Sequence, residues 1–115
     1  MAEMIAEPYF GEKAKEKKNK ILRSVAKGKV LPGLYLITFA KSGRDQLDML
    51  PSENLALPFI RDHLPAVVGF ALGRKEALDL VVRIAAETFR NTGNCDMRAW
   101  LAGRMRESGE ERAWQ

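Results

Sequence analysis

The side chains most able to do chemistry in this sequence are cations gathered near its N-terminus. Residues 11–29 hold seven lysines and one arginine against two glutamates, a local charge of +6 in a chain whose net charge is +4. A local excess of positive charge binds phosphates or carboxylates with little regard to sequence. The segment therefore predicts a surface for nucleic acid or for an acidic protein partner. The contributing residues are Lys13, Lys15, Lys17, Lys18, Lys20 and Arg23.

A solvated helix face is the plainer interpretation of the same charges. No aromatic residue lies between Glu12 and Lys29, so the segment by itself lacks side chains that stack on nucleic-acid bases. Its short apolar face also carries no aromatic anchor, which disfavours a helix lying on a membrane surface. If the segment binds a polyanion, we expect the binding to be sensitive to salt and nearly independent of sequence.

A second candidate site is the turn that contains Gly69, Gly73, Arg74 and Lys75. A glycine-containing turn from a strand into a helix exposes backbone amides beside positive side chains, which favours anions. The turn is not a Walker motif, because three residues rather than four separate the glycines and Glu76 follows the lysine. It predicts, as the alternative function, an anion- or small-ligand-sensing regulatory domain. Otherwise Gly69 allows close packing and Gly73 begins a helix.

Catalytic side chains are few. The chain has one histidine, His63, and one cysteine, Cys95. His63 lies at the end of a short predicted helix, where a surface or capping role is the plainer interpretation. Cys95 comes just after a predicted helix C-terminus, where the helix dipole does not favour a thiolate. The sequence therefore predicts no catalytic constellation and a protein that is not an enzyme.

Metal ligands are equally sparse, since one histidine and one cysteine cannot build a zinc site within the chain. Asp45, Asp48 and Glu53 could offer oxygens to a hard cation, but their spacing matches no calcium-binding loop. We expect no metal and no cofactor.

Length and composition describe an ordinary small domain. At 115 residues, with 46% hydrophobic and 30% charged residues, the chain can bury one core without disulfides. A lone cysteine suits a reducing compartment. No segment holds the roughly 18 apolar residues that span a bilayer, and the N-terminus lacks the features of a secretory signal. We therefore expect a cytoplasmic protein with no membrane partner.

The elements that must position these side chains centre on residues 66–72, an apolar run that predicts a strand buried on both faces. Residues 74–92 follow with the periodicity of an amphipathic helix. Residues 95–101 then alternate apolar and polar side chains, as a strand with one covered face does. Strand, helix and strand predict a βαβ unit, which would cross right-handedly.

The 74–92 helix has two faces in this interpretation. The apolar stripe that is expected to pack on the sheet consists of Leu78, Val81, Val82, Ala85 and Phe89, widened by Ala77, Ile84 and Ala86. Glu76 and Arg83 belong to the opposite stripe, which is expected to be solvated.

Three further elements complete the prediction. Residues 34–40 and 46–50 predict a hairpin joined by a turn at 41–45. Residues 58–64 predict a short connector helix with proline at its first position. Residues 12–27 predict a helix that docks through its second half and projects its lysine-rich first half into solvent.

The predicted fold is α+β, a small mixed sheet of three to four strands (a hairpin plus the βαβ unit) with two packed helices and the connector helix. The whole chain, residues 1–115, is predicted to be a single domain. It divides into an irregular segment at 1–11, a basic helix at 12–28, an α/β core at 33–101 and a charged tail at 102–115.

For function, the sequence predicts a non-enzymatic binding or adaptor protein whose basic helix contacts nucleic acid or an acidic partner. Trp100 falls on the exposed face of the last predicted strand. A second copy of the chain could cover it, which predicts a homodimer.

Overall fold

The fold is built on a four-stranded mixed sheet, and the computed structural model describes residues 4–40 and 46–103. The strands are β1 Met4–Phe10, β2 Leu34–Phe39, β3 Leu47–Pro51 and β4 Val67–Leu72. They lie across the sheet in the order β1-β4-β2-β3, with β1 parallel to β4 and the other pairs antiparallel. The predicted α+β class, the mixed sheet and the β2–β3 hairpin are confirmed.

Helices cover both faces of this sheet. They are α1 Glu12–Glu16, α2 Lys18–Ala26, a 3₁₀ helix Ser52–Ala56, α3 Pro58–Asp62, α4 Arg74–Thr92 and α5, residues 97–103. On one face, α1, α2 and the 3₁₀ helix enclose a core that includes Ile21, Leu36 and Phe70. On the other face, α4 and α5 enclose a core that includes Ile37, Ile84 and Leu101.

β4 is the central strand that its apolar run predicts. Val67 and Phe70 face the first core, whereas Val68 and Ala71 face the second. None of the four side chains is exposed to solvent. A strand buried on both faces needs apolar residues at consecutive positions, which is why this part of the sequence lacks alternation.

The second strand of the predicted βαβ unit is wrong, because residues 97–103 form α5. Asp96 begins this helix, since its Oδ1 accepts the backbone N–H of Ala99 at 3.1 Å. Met97, Trp100 and Leu101 are spaced three and four residues apart and pack on the core from one helix face. The parallel neighbour of β4 is instead β1, in the segment predicted to be irregular.

The centre of the predicted buried face of α4 is also wrong, although Ala77 and Ile84 at the margin of the predicted stripe are buried. The buried residues of this helix are Ala77, Leu80, Ile84 and Thr88. Leu78, Val82 and Phe89 are instead 46%, 67% and 56% exposed. The helix is therefore turned from the predicted orientation by about one residue, or 100°. Thr88 is tolerated in the core because its Oγ1 donates a hydrogen bond to the Ile84 carbonyl at 2.8 Å.

The predicted 12–27 helix is two helices, which meet at Lys17, where φ is −115° and ψ is 24°. Its first half does not project into solvent, because Ala14 of α1 is completely buried in the core on this face of the sheet. The predicted connector helix is present as α3, with Pro58 at its first position.

Two predicted segments lie outside the described residues, the 41–45 turn of the hairpin and positions 104–115 of the charged tail. Over the described ranges, no helix has both the length and the apolar character that crossing a membrane requires.

Candidate nucleic-acid interface

A groove at the β1 edge of the sheet brings basic and aromatic side chains together. We call it the edge groove, and its volume is about 790 Å³. It runs between α1 and α2 on one side and α4 and α5 on the other. Its lining residues are Pro8, Tyr9, Phe10, Lys15, Lys18, Arg83, Glu87, Arg90, Asn91 and Trp100.

The end of β1 forms the floor of the edge groove. The Phe10 ring is almost fully buried and stacks on the Phe70 ring of β4, with 5.4 Å between their centroids. The ammonium group of Lys18 lies 5.4 Å from the Phe10 ring centroid, within the range of a cation–π contact. Because Phe10 is buried, it holds the end of β1 in place and positions the ammonium group of Lys18 above its ring.

Arg83 joins α4 to the same strand. Its Nη2 donates a hydrogen bond to the Phe10 carbonyl oxygen at 2.7 Å. This carbonyl belongs to the edge strand β1, which pairs with β4 only. Arg83 belongs to the stripe of α4 that was expected to be solvated. Its hydrogen bond instead holds the helix against β1 and directs the Arg83 side chain toward the edge groove.

Trp100 of α5 also lines the edge groove. It is half-buried, and it packs against the core beside Leu101, which is completely buried. Arg98 anchors the start of α5 on the sheet, because its Nη1 donates to the Ala40 carbonyl at 2.7 Å. The strand predicted for this segment would have placed Trp100 on an open sheet face. In α5 the side chain is half-buried, so Trp100 does not require a second copy of the chain to cover it.

The electrostatics of the edge groove are strongly asymmetric. Lys15, Lys18, Arg83 and Arg90 contribute four positive charges against the single carboxylate of Glu87. Cations arranged along a groove can neutralise successive phosphates of a nucleic-acid strand. The half-buried rings of Tyr9 and Trp100 supply the other element of such a site, because unpaired bases stack on aromatic side chains.

The six cations predicted for binding separate into three groups, although all six are exposed. Lys15 and Lys18 line the edge groove, and Lys13 lines a second hollow near the glycine turn. The remaining three line neither of these hollows: Lys17, Lys20 and Arg23.

Sequence reasoning missed the two arginines and the two aromatic residues of the edge groove. Arg83 and Arg90 lie on α4, far along the chain from the basic segment, but their spacing of seven residues places them on one helix face. That spacing was the available signal. Tyr9 and Trp100 gave none, because they are distant in the sequence and the pairing of β1 with β4 is needed to place Tyr9 in this part of the fold.

Both glycines of the turn already make contacts with neighbouring parts of the protein. A side chain on Gly69 would approach the Tyr9 carbonyl oxygen to 3.1 Å and Leu80 Cδ2 to 3.2 Å, so this glycine lets β1 and α4 pack closely on β4. Gly73 has a φ of +91°, a conformation that favours glycine, and its N–H donates to the Gly33 carbonyl at 2.7 Å.

At this end of the sheet, backbone amides bind the carboxylate of Glu76. Its Oε1 accepts the backbone N–H of Lys13 at 2.7 Å, and its Oε2 accepts those of Ala14 and Leu72. The carboxylate thus caps the N-terminus of α1 from 63 residues away and ties it to β4. Gly11 makes room for this contact, because any side chain there would collide with Glu76.

The hollow beside this turn, about 590 Å³, is also less positive than the edge groove. Its cations are Lys13, Arg74, Lys75 and Arg83, and its acids are Glu12, Glu76 and Asp79. Binding of an anion or small ligand at Gly69, Gly73, Arg74 and Lys75 stays a prediction, and the edge groove is the better candidate.

The remaining candidates do not come together into a catalytic or metal site. His63 is exposed and stacks on Phe59 with 4.5 Å between ring centroids, while its Nδ1 lies 2.8 Å from the Phe59 carbonyl oxygen. Cys95 is an exposed free thiol. Across residues 4–40 and 46–103, no group of three or more His, Cys, Asp or Glu side chains is arranged to hold a metal ion. Asp45 lies outside these ranges.

Comparison of the chain with models of protein families, with curated proteins and with solved structures finds no match. A functional assignment must therefore come from the protein's own residues.

Proposed function

We propose that this is a non-enzymatic, cytoplasmic nucleic-acid-binding protein that holds a single-stranded segment in the edge groove. The observation that carries the proposal is the juxtaposition of four cations with the rings of Tyr9 and Trp100. Neither feature is sufficient alone, since charged helix faces are common and half-buried aromatic residues are usually part of a core.

Single-stranded nucleic acid fits the edge groove better than a duplex or an acidic protein. Stacking requires bases that are not already paired and stacked within a helix, so the aromatic rings would contribute little to duplex binding. An acidic peptide would satisfy the cations but would gain nothing from stacking on the aromatic rings. Both polymers therefore serve as competitors in the experiment below.

The first test removes two positive charges from the edge groove. Lys15→Gln with Lys18→Gln is expected to weaken binding of a fluorescent oligothymidine, measured by anisotropy over a series of salt concentrations. The slope of log affinity against log salt should fall by about 1.4, because each lost phosphate contact on a single strand contributes roughly 0.7. Duplex DNA and poly-glutamate should compete poorly.

The matched control is Lys17→Gln with Lys20→Gln. It removes the same charge at exposed positions that do not line the edge groove, because Lys17 lies at the junction of α1 and α2 and Lys20 lies on α2. We expect this variant to bind like the unmodified protein. Equal losses in both double variants would mean that only net charge matters, and effective competition by poly-glutamate would instead indicate an acidic protein partner.

The second test concerns stacking on Trp100. Trp100→Leu keeps an apolar side chain against the core but removes the flat ring, so binding of oligothymidine should weaken by about 1–3 kcal/mol. The chain has a second tryptophan, Trp114, so fluorescence is measured in a Trp114→Phe background. In that background the oligonucleotide should quench the emission of Trp100. Saturable binding without quenching would contradict a stacked base at this position.

A further inference from the structure

One face of α4 carries apolar side chains that no described part of the chain covers. Leu78, Val82 and Phe89 are 46%, 67% and 56% exposed, and the half-buried Ala85 lies between them. The four residues follow one another at intervals of four, three and four positions. They form a continuous stripe, which we call the α4 stripe.

The spacing of the α4 stripe is that of a coiled-coil seam. Apolar residues alternating at intervals of three and four positions keep one line of a helix facing a second helix. The stripe is also separate from the edge groove, because Arg83, Glu87 and Arg90 line that groove from another side of α4. A partner on the stripe would leave the groove open.

We propose that the α4 stripe binds the same stripe of a second copy of this chain, with the two α4 helices antiparallel around a two-fold axis. The stripe is self-complementary in this arrangement, as a two-fold interface must be. Leu78 then lies opposite the partner's Phe89, and Val82 lies opposite the partner's Ala85. A small residue faces a branched one at the centre, which allows the helices to approach closely.

The charges at the ends of α4 decide the direction of pairing. Arg74 and Lys75 are exposed at the N-terminus of the helix, whereas the cation of its last turn, Arg90, lies on the side that lines the edge groove and not on the stripe. In an antiparallel pair they lie beside the C-terminus of the partner's helix, whose free carbonyl groups carry partial negative charge. A parallel pair would instead bring four cations together at one end.

The small area of the α4 interface predicts a weak dimer. A 19-residue helix is about 28 Å long, and one helix pair covers less than the roughly 800 Å² per partner of standard interfaces. We therefore expect a dimer that dissociates in the micromolar range, where small interfaces with a few apolar anchors commonly fall.

The experiment is sedimentation equilibrium of the full chain at concentrations from low to high micromolar. The unmodified protein should approach twice its 12.9 kDa mass as concentration rises. Val82→Glu should raise the dissociation constant at least about tenfold, because it places two carboxylates at the centre of the seam. The control is Phe59→Glu, which changes an apolar residue that is also 67% exposed but lies on α3. This variant should dimerise normally.

Cross-linking tests the direction of pairing without depending on Val82→Glu. In a Cys95→Ser background, a mixture of Val82→Cys and Ala85→Cys chains should form mixed disulfide dimers on oxidation, and each chain alone should form few. Val82→Cys chains that cross-link efficiently to one another would overturn the antiparallel arrangement. A monomer at every concentration, or equal weakening by Val82→Glu and Phe59→Glu, would overturn the interface itself.

Discussion

Ile84→Ala should lower the free energy of unfolding by about 2–5 kcal/mol, whereas Phe89→Ala on the same helix should lower it by less than about 1 kcal/mol. Ile84 is completely buried in the core between α4 and the sheet, so its truncation leaves a cavity. Phe89 is 56% exposed, so its truncation removes much less buried surface. Urea denaturation monitored by circular dichroism measures both values.

Protein concentration must be kept low in these measurements, because dimerisation through the α4 stripe would add an intermolecular contribution at Phe89. Val82→Ala, at a position 67% exposed, serves as the second surface control. A loss at Phe89 as large as that at Ile84 would show that the sequence-predicted face of α4 is buried after all.

Glu76→Ala should lower the free energy of unfolding by about 3 kcal/mol, because it leaves three backbone amides, two of them partly buried, without their acceptor. Those amides belong to Lys13, Ala14 and Leu72, so the effect should appear as loss of α1 from the fold as well as lower stability. Asp79→Ala removes the same type of charge from an exposed position of α4 and should change stability by less than about 0.5 kcal/mol.

A double-mutant cycle with Gly11 isolates this contact. Gly11→Ala alone should be destabilising, because the new methyl group collides with the Glu76 carboxylate and displaces it from the amides. In a Glu76→Ala background the collision is gone, and alanine is permitted at the φ of −64° found there. The same substitution should then be neutral, or stabilising by about 0.4–1 kcal/mol through the unfolded state. Additive effects would rule out the proposed contact.

The sequence predicted those elements whose signals are local. The β2–β3 hairpin and the central strand β4 are predictable because hydrophobic patterns of a few residues specify them. α5 was missed although Asp96 is a good N-cap residue, since alternating side chains over seven positions fit a strand as well as two helical turns. The prediction gave more weight to the alternating apolar pattern than to the capping residue Asp96. The structure shows that the capping residue was the better guide to this segment.

The orientation of α4 could not be obtained from hydrophobicity alone. The helix has two apolar stripes, and the buried one contains Thr88, a polar residue that lowers its apparent hydrophobicity. The exposed one contains Phe89, the largest apolar side chain of the helix. Only the hydrogen bond from Thr88 to the Ile84 carbonyl explains why threonine is acceptable in the core, and this bond cannot be read from composition.

The edge groove was predictable only in part, for a topological reason. Lys15 and Lys18 belong to the basic segment, so local charge was enough to select them. The rings of Tyr9 and Trp100 reach them only because β1 adds to the sheet beside β4 and α5 packs behind it. Glu7 and Pro8 interrupt any strand pattern in β1, and its partner is distant in the sequence.

That distance also bears on when the groove can exist during folding. Met4 pairs with Val67 and Phe10 with Phe70, so β1 joins the sheet only after a loop of about 60 residues has closed. The hairpin of β2 and β3 closes a far shorter loop and can form early. An edge strand with a single neighbour is also among the first elements to open in local unfolding. Each opening of β1 removes the floor of the edge groove. A ligand that binds only the intact groove therefore stabilises the docked form of β1, and docking of β1 in turn strengthens binding of the ligand.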